Sequence, residues 1–149
     1  MSVEAIEATL TLPTVVEYLE RMGVHYQMDD LFGTPIVRSG WRFEVGGAAL
    51  LISVSDSAHH TTRLEITCAT QRRYADQVDA VLQILNTRNR ERAFARSLDE
   101  DGVVYLEYVG FYPTGCPFPL SVFEVVFGGI LLQFEEDYEA IEVVRLSEN

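Results

Sequence analysis

The sequence predicts one α+β domain spanning residues 1–149, an antiparallel sheet packed with helices in the order α-β-β-β-α-β-β-α. Three observations lead there. Apolar residues make up 48% and charged residues 23% of 149 positions, the balance of a folded domain long enough to bury a core. The apolar period switches from 3.6 to 2 and back, twice, along the chain. Turn-forming pairs such as Gly46-Gly47 and the acidic Asp99–Gly102 fall where the period-two segments meet.

The first helix is predicted over Leu12–Gly23. Pro13 suits its first turn, Val15, Val16 and Leu19 form an apolar stripe, and Gly23 is placed to stop it. Residues 24–40 hold Asp29, Asp30, Gly33, Pro35 and Gly40 and read as irregular, with room for one short strand. Period two begins at "WRFEV", where Trp41, Phe43 and Val45 share one face. Gly46-Gly47 turns into "ALLISVS", and "DSAHH" turns into "TRLEITCAT", giving a three-stranded meander. From Tyr74 to about Asn89 the period of 3.6 returns, with Val78, Val81, Leu82 and Leu85 in one stripe. "AFARSLDEDGVVYLEYVGF" reads as a hairpin turning at Asp99–Gly102. Pairing Leu98 with Val103 puts Arg96 opposite Tyr105, away from Val104 and Leu106.

A long last helix is predicted from Leu120 to Val144. Its first half is apolar nearly all round, and one sheet face can cover only one stripe of such a helix. The surplus predicts a subunit or protein interface built on Phe123, Val126, Phe127, Ile130, Leu131 and Phe134. Gly128-Gly129 lowers helix propensity and suits close backbone approach. The acidic half, Glu135 to Glu142, is expected in water. As a membrane span, Phe118–Phe134 is short and carries Glu124 and Gln133, so a buried helix of a soluble protein is the better reading.

Charge narrows the function classes. There are 23 acidic and 11 basic residues, all arginine, for a net charge of −12. That field opposes nucleic acid and anionic lipid and suits a partner protein with a basic surface. The exception is local: Arg88, Arg90, Arg92 and Arg96 face only Glu91 within residues 86–97. A nucleic-acid module built on the Arg88–Arg96 cluster would want interleaved aromatics, and only Phe94 is there. Arg88, Arg92 and Arg96 are therefore expected to make intramolecular or interface charge contacts.

No catalytic, cofactor or metal site is predicted. His59-His60 is a turn pair without a third ligand, and Cys68 and Cys116 form no CxxC motif. Nucleophile and phosphate-loop motifs are missing, and the Asp99–Gly102 cluster is what a hairpin turn uses. The N-terminal "MSVEAIEATLTLP" lacks the basic start of a signal peptide, so a cytoplasmic protein is expected. A small-molecule-binding domain with a pocket between helix and sheet stays open as an alternative.

With the element order in place, "VDAVLQILNTRNRERAFARSLDEDGVVYLEY" (residues 78–108) resembles the YbjN family, bacterial proteins described as sensory-transduction regulators. The likeness rests on a helix ending in Leu85, Asn86 and Asn89, then a strand, an acidic turn with Gly102 and an apolar strand. The positions of the first and last helices agree. The resemblance implies a type III secretion chaperone-like fold, a homodimer, and a non-enzymatic role as adaptor, chaperone or regulator of another protein, with no catalytic residue to carry over.

Overall fold

The computed structural model describes residues 8–90 and 94–147. Arg92 lies outside them. Helix α1 (Leu12–Arg21) starts where the Thr11 hydroxyl accepts from the Thr14 N–H, with Pro13 in its first turn. Val15, Tyr18 and Leu19 form its buried side. Strands β1 (Gln27–Leu31), β2 (Thr34–Arg42), β3 (Gly47–Ser57) and β4 (Thr61–Arg73) follow as an antiparallel meander. A 3₁₀ turn at Ala75–Gln77 leads into α2 (Val78–Arg88). The hairpin β5 (Ala95–Leu98) and β6 (Val103–Pro113) precedes the 28-residue helix α3 (Leu120–Ser147).

The six strands form one antiparallel sheet in the order β1-β2-β3-β4-β6-β5. Alternate residues of β3 and β4 (Ala48, Leu50, Ile52; Leu64, Ile66, Cys68) are buried, together with Val104 and Leu106 of β6. They share a single core with Val15 and Leu19 of α1, Val81 and Leu85 of α2, and the inward stripe of α3. All three helices therefore cover one sheet face. The opposite face stays open, as antiparallel sheets allow. It carries Leu51, Val109 and Phe111 among Arg38, Arg63, Glu65 and Glu107.

An α+β fold with an antiparallel sheet packed against helices agrees with expectation. The first meander has four strands rather than three. Residues 27–40, within the stretch expected to be largely irregular, form with Trp41 and Arg42 the β1–β2 hairpin around a two-residue turn at Phe32-Gly33, both at positive φ (52° and 83°). "WRFEV" is not one strand. β2 ends at Arg42, and Phe43–Gly46 closes the turn through reciprocal backbone bonds of 2.9 and 3.2 Å. Trp41 and Phe43 still face inward, 5.9 Å from the Phe127 ring and 5.8 Å from the Phe134 ring respectively.

The β5–β6 register differs by one residue. Leu98 pairs with Val104 and Arg96 with Leu106. The cause is the turn: the Asp99 N–H bonds to Val103 O, and Gly102 adopts φ +84°. This is a three-residue loop with its glycine in the left-handed region. A one-residue slip exchanges faces. Arg96 therefore points into the core rather than away from Val104 and Leu106. In α2, Val81 and Leu85 are buried while Val78 and Leu82 are more than a third exposed, so the expected stripe narrows to its inner half.

Candidate functional site

The arginine segment is organised around one carboxylate. Asp137 projects from the acidic half of α3, yet it is 1% exposed. Arg96 Nε donates to its Oδ2 at 2.6 Å, and Arg88 Nε donates to Oδ1. Arg96 also donates through Nη1 to the backbone oxygen of Arg88 at 2.7 Å, satisfying a carbonyl that the end of α2 would otherwise leave open. Gln133 completes the shell. In the amide orientation that satisfies both arginines, its oxygen accepts from Arg96 Nη2 at 3.0 Å and Arg88 Nη2 at 3.1 Å.

Asn89 fixes the approach of the strand. Its Oδ1 accepts from the Arg96 N–H at 2.8 Å and its Nδ2 donates to Arg96 O at 3.0 Å. A single side chain thus imitates a strand neighbour and holds β5 to the end of α2. The Leu-Asn-x-x-Asn pattern acquires a physical reason: Leu85 is core, Asn89 is the clasp, and Asn86 is exposed. Two arginines on a buried acid at charge-assisted distances form a desolvated network, in which the loss of one member is far more damaging than any exposed pair.

A second buried acid repeats the design one turn further on. Glu142 Oε1 accepts from the Tyr74 hydroxyl at 2.7 Å and lies 3.0 Å from Arg72 Nε, while Oε2 accepts from Arg145 Nε at 2.7 Å. Burial, then the bond to Glu142, pushes the Tyr74 hydroxyl well above the usual tyrosine range. Cys68 is buried at the floor of the core, and desolvation, with the Asp137 charge second, pushes its thiol up to about 12. It stays protonated and unreactive at neutral pH.

The acidic half of α3, expected in water, therefore presents Asp137 and Glu142 inward and Glu136 and Glu139 outward. The interface expectation also divides. Phe123, Phe127, Ile130 and Phe134 are at most 1% exposed, already covered by this chain's own sheet and helices, so no partner can reach them. Val126 and Leu131 are half-buried flanks of the same core. Arg96 is held inside by Asp137 and cannot reach a phosphate, whereas Arg88, 28% exposed, is engaged by Asp137 and lies 3.6 Å from Glu136. Within the described part of the cluster, Arg90 remains exposed.

The surface holds the residues that sequence reasoning missed. Phe32 is 99% exposed at the tip of the β1–β2 hairpin, in a left-handed backbone conformation that strains a bulky residue. Beside it Met28 and Leu31 are about half exposed. Asp29 is paired to Arg38 at 2.6 Å and accepts from the Asp30 N–H at 2.8 Å. That bond and the two acids protect the β1 edge from indiscriminate strand pairing. The turn chemistry was the available signal: a Phe-Gly pair between Leu31 and Thr34 occupies the place where Asn-Gly is usual.

A depression of about 490 Å³ lies beside β1–β3, lined by His25, Gln27, Arg38, Gly40, Ala49 and Gln71. His59 and His60 are exposed at positive φ in the β3–β4 turn. Among the described residues no group of three or more His, Cys, Asp or Glu side chains is placed to hold a metal ion, and no helix is long and apolar enough to cross a membrane. Comparison of the chain with protein-family models and with curated proteins finds no match.

Proposed function

We propose that the chain is a YbjN-like, non-enzymatic protein-binding adaptor or chaperone-like regulator, cytoplasmic and homodimeric, that engages a partner with a basic surface. The observation that carries this reading is Phe32. An aromatic side chain held fully in water, at a turn position where it strains the backbone, contributes nothing to its own fold. It has the form of an anchor for an apolar pocket on another protein. The flanking Asp29 and Asp30 and the net charge of −12 select a pocket with a basic rim. In the other direction, the two buried acids bind the chain's own arginines and tyrosine, which supports a structural role for the ionisable clusters.

The test places a photo-crosslinking phenylalanine analogue at position 32. Irradiation in a lysate should yield a discrete adduct with a protein of basic isoelectric point, suppressed by raised salt. Diffuse labelling that salt leaves unchanged, or adducts only with nucleic acid, would sink the proposal.

A further inference from the structure

The outward face of α3 repeats with a period that its own fold does not use. Val122, Val125, Gly129, Leu132, Glu136, Glu139, Val143 and Leu146 follow at alternating steps of three and four, the a and d positions of a heptad repeat. All eight are exposed, Val125 at 76% and Leu132 at 59%. The N-terminal half of this seam is neutral and apolar, the middle is acidic, and the inward stripe of the same helix is separately committed to the core.

Gly129 and its neighbour Gly128 supply a second observation. A glycine inside a helix disfavours the helix relative to alanine. At both positions an added Cβ would meet no atom within 4 Å, so nothing among the described residues requires a glycine there. They leave room on the outer face for a backbone that comes close.

The first turn of α3 is the third. It holds no acidic residue to complement the helix dipole. Glu136, whose carboxylate also lies 3.6 Å from the Arg88 guanidinium, and Glu139 stand exposed four turns further along the same seam.

We infer that the occupant of this face is a second copy of the chain, its α3 running antiparallel across the neutral half of the seam. This gives a location to the homodimer proposed above and rests on that part of the reading. In the antiparallel register, a positions meet d positions. Val122 faces the partner's Leu132 and Val125 faces the partner's Gly129, twice over by the two-fold axis. The overlap covers residues 120–134, about 22 Å of helix. Glu136 of each copy then falls beside the first turn of the partner's α3, which complements the open dipole. Two other pairings fail on charge. A parallel pair would set Glu136 on Glu136 and Glu139 on Glu139. A full-length antiparallel pair would bury all four of those acids at the seam. The contact is at the small end of specific interfaces, so association is expected only at high micromolar concentration.

Sedimentation velocity from about 5 to about 500 µM tests this. The wild-type chain should pass from monomer toward dimer, and the double variant V125E/L132E should remain monomeric with unchanged thermal unfolding, since both residues are on the surface. In a Cys116→Ser background, V122C/L132C should form a covalent dimer under mild oxidation, and V125C alone should not. A wild-type monomer throughout, a dimer indifferent to V125E/L132E, or crosslinking of V125C alone (the signature of a parallel pair) would each overturn the inference. Crosslinking at position 32 reads the partner-binding proposal separately. If its adduct persists in V125E/L132E, failure of the dimer leaves that proposal standing.

Discussion

Arg96 and Asp137 are 41 residues apart in sequence, and their side chains, 0% and 1% exposed, meet at 2.6 Å. The bond joins β5 to α3, and Arg88 brings α2 to the same carboxylate. One acid thus ties the second helix, the edge strand and the last helix together. D137N should destabilise the fold by about 3–5 kcal/mol, because it strands the buried Arg96 guanidinium and takes the buried partner from the part-exposed Arg88. Denaturant unfolding checks this. A loss below about 1 kcal/mol would mean that the network behaves as an exposed ion pair.

Gly102 should tolerate no side chain. It adopts φ +84°, its oxygen accepts from the Tyr74 N–H at 2.7 Å, and an added Cβ would lie 2.4 Å from the backbone nitrogen of Ala75. G102A is expected to cost about 2 kcal/mol or more in the same measurement, because the obstacle is backbone rather than a movable side chain.

Alkaline pH should unfold the protein early. Cys68 is a thiol with its folded pKa raised to about 12, against roughly 8.5 in the unfolded chain. Its contribution is fully present below the unfolded value and is lost as pH rises toward the folded one, by up to about 1.4 kcal/mol per pH unit. Tyr74 and Tyr112, also raised by burial, add to the loss at still higher pH. Stability of C68A, followed by urea unfolding between pH 8 and about 11, should fall less steeply than that of the wild type.

In the acid range Asp99 matters. Backbone bonds from Val103, with further bonds from Tyr105 and Asp101, hold its carboxyl below the usual range. The hairpin's stability from this group is present above the unfolded pKa near 4 and is lost as pH falls through the lowered folded value. Amide exchange in β5–β6 should speed up there in the wild type, and less so in D99N.

Much of the fold was legible because it is written in periodicity. α1, β3, β4, α2, the acidic turn and α3 each follow from an apolar period and a stop signal. The β1–β2 hairpin did not, because Phe32 takes a left-handed turn position usually held by Asn, and Asp29 and Asp30 are poor strand formers. The register of β5–β6 turned on whether the loop holds three residues or four, and that decides whether Arg96 faces water or Asp137. Asp137 itself was readable in principle. The buried stripe Ile130, Phe134, Ile141 steps through position 137, so the acid there had to be internal and in need of a cation. The over-apolar character of α3 pointed to an interface, but four of the six residues it nominated are buried on the inner face. The exposed seam one step around the helix, Val122, Val125 and Leu132, was hidden among them.

Under the proposed function the chain acts through exposed residues, with Phe32 foremost. The most direct measurement is quantitative capture from lysate by paired baits, wild type and F32N, with thermal unfolding of both proteins in parallel. Asparagine suits the left-handed position, so F32N should melt at or above the wild type, by about 1 kcal/mol of added stability. It should also lose the basic proteins that the wild type retains. An F32N protein that is equally folded and captures the same proteins in the same amounts would rule out a binding role for Phe32.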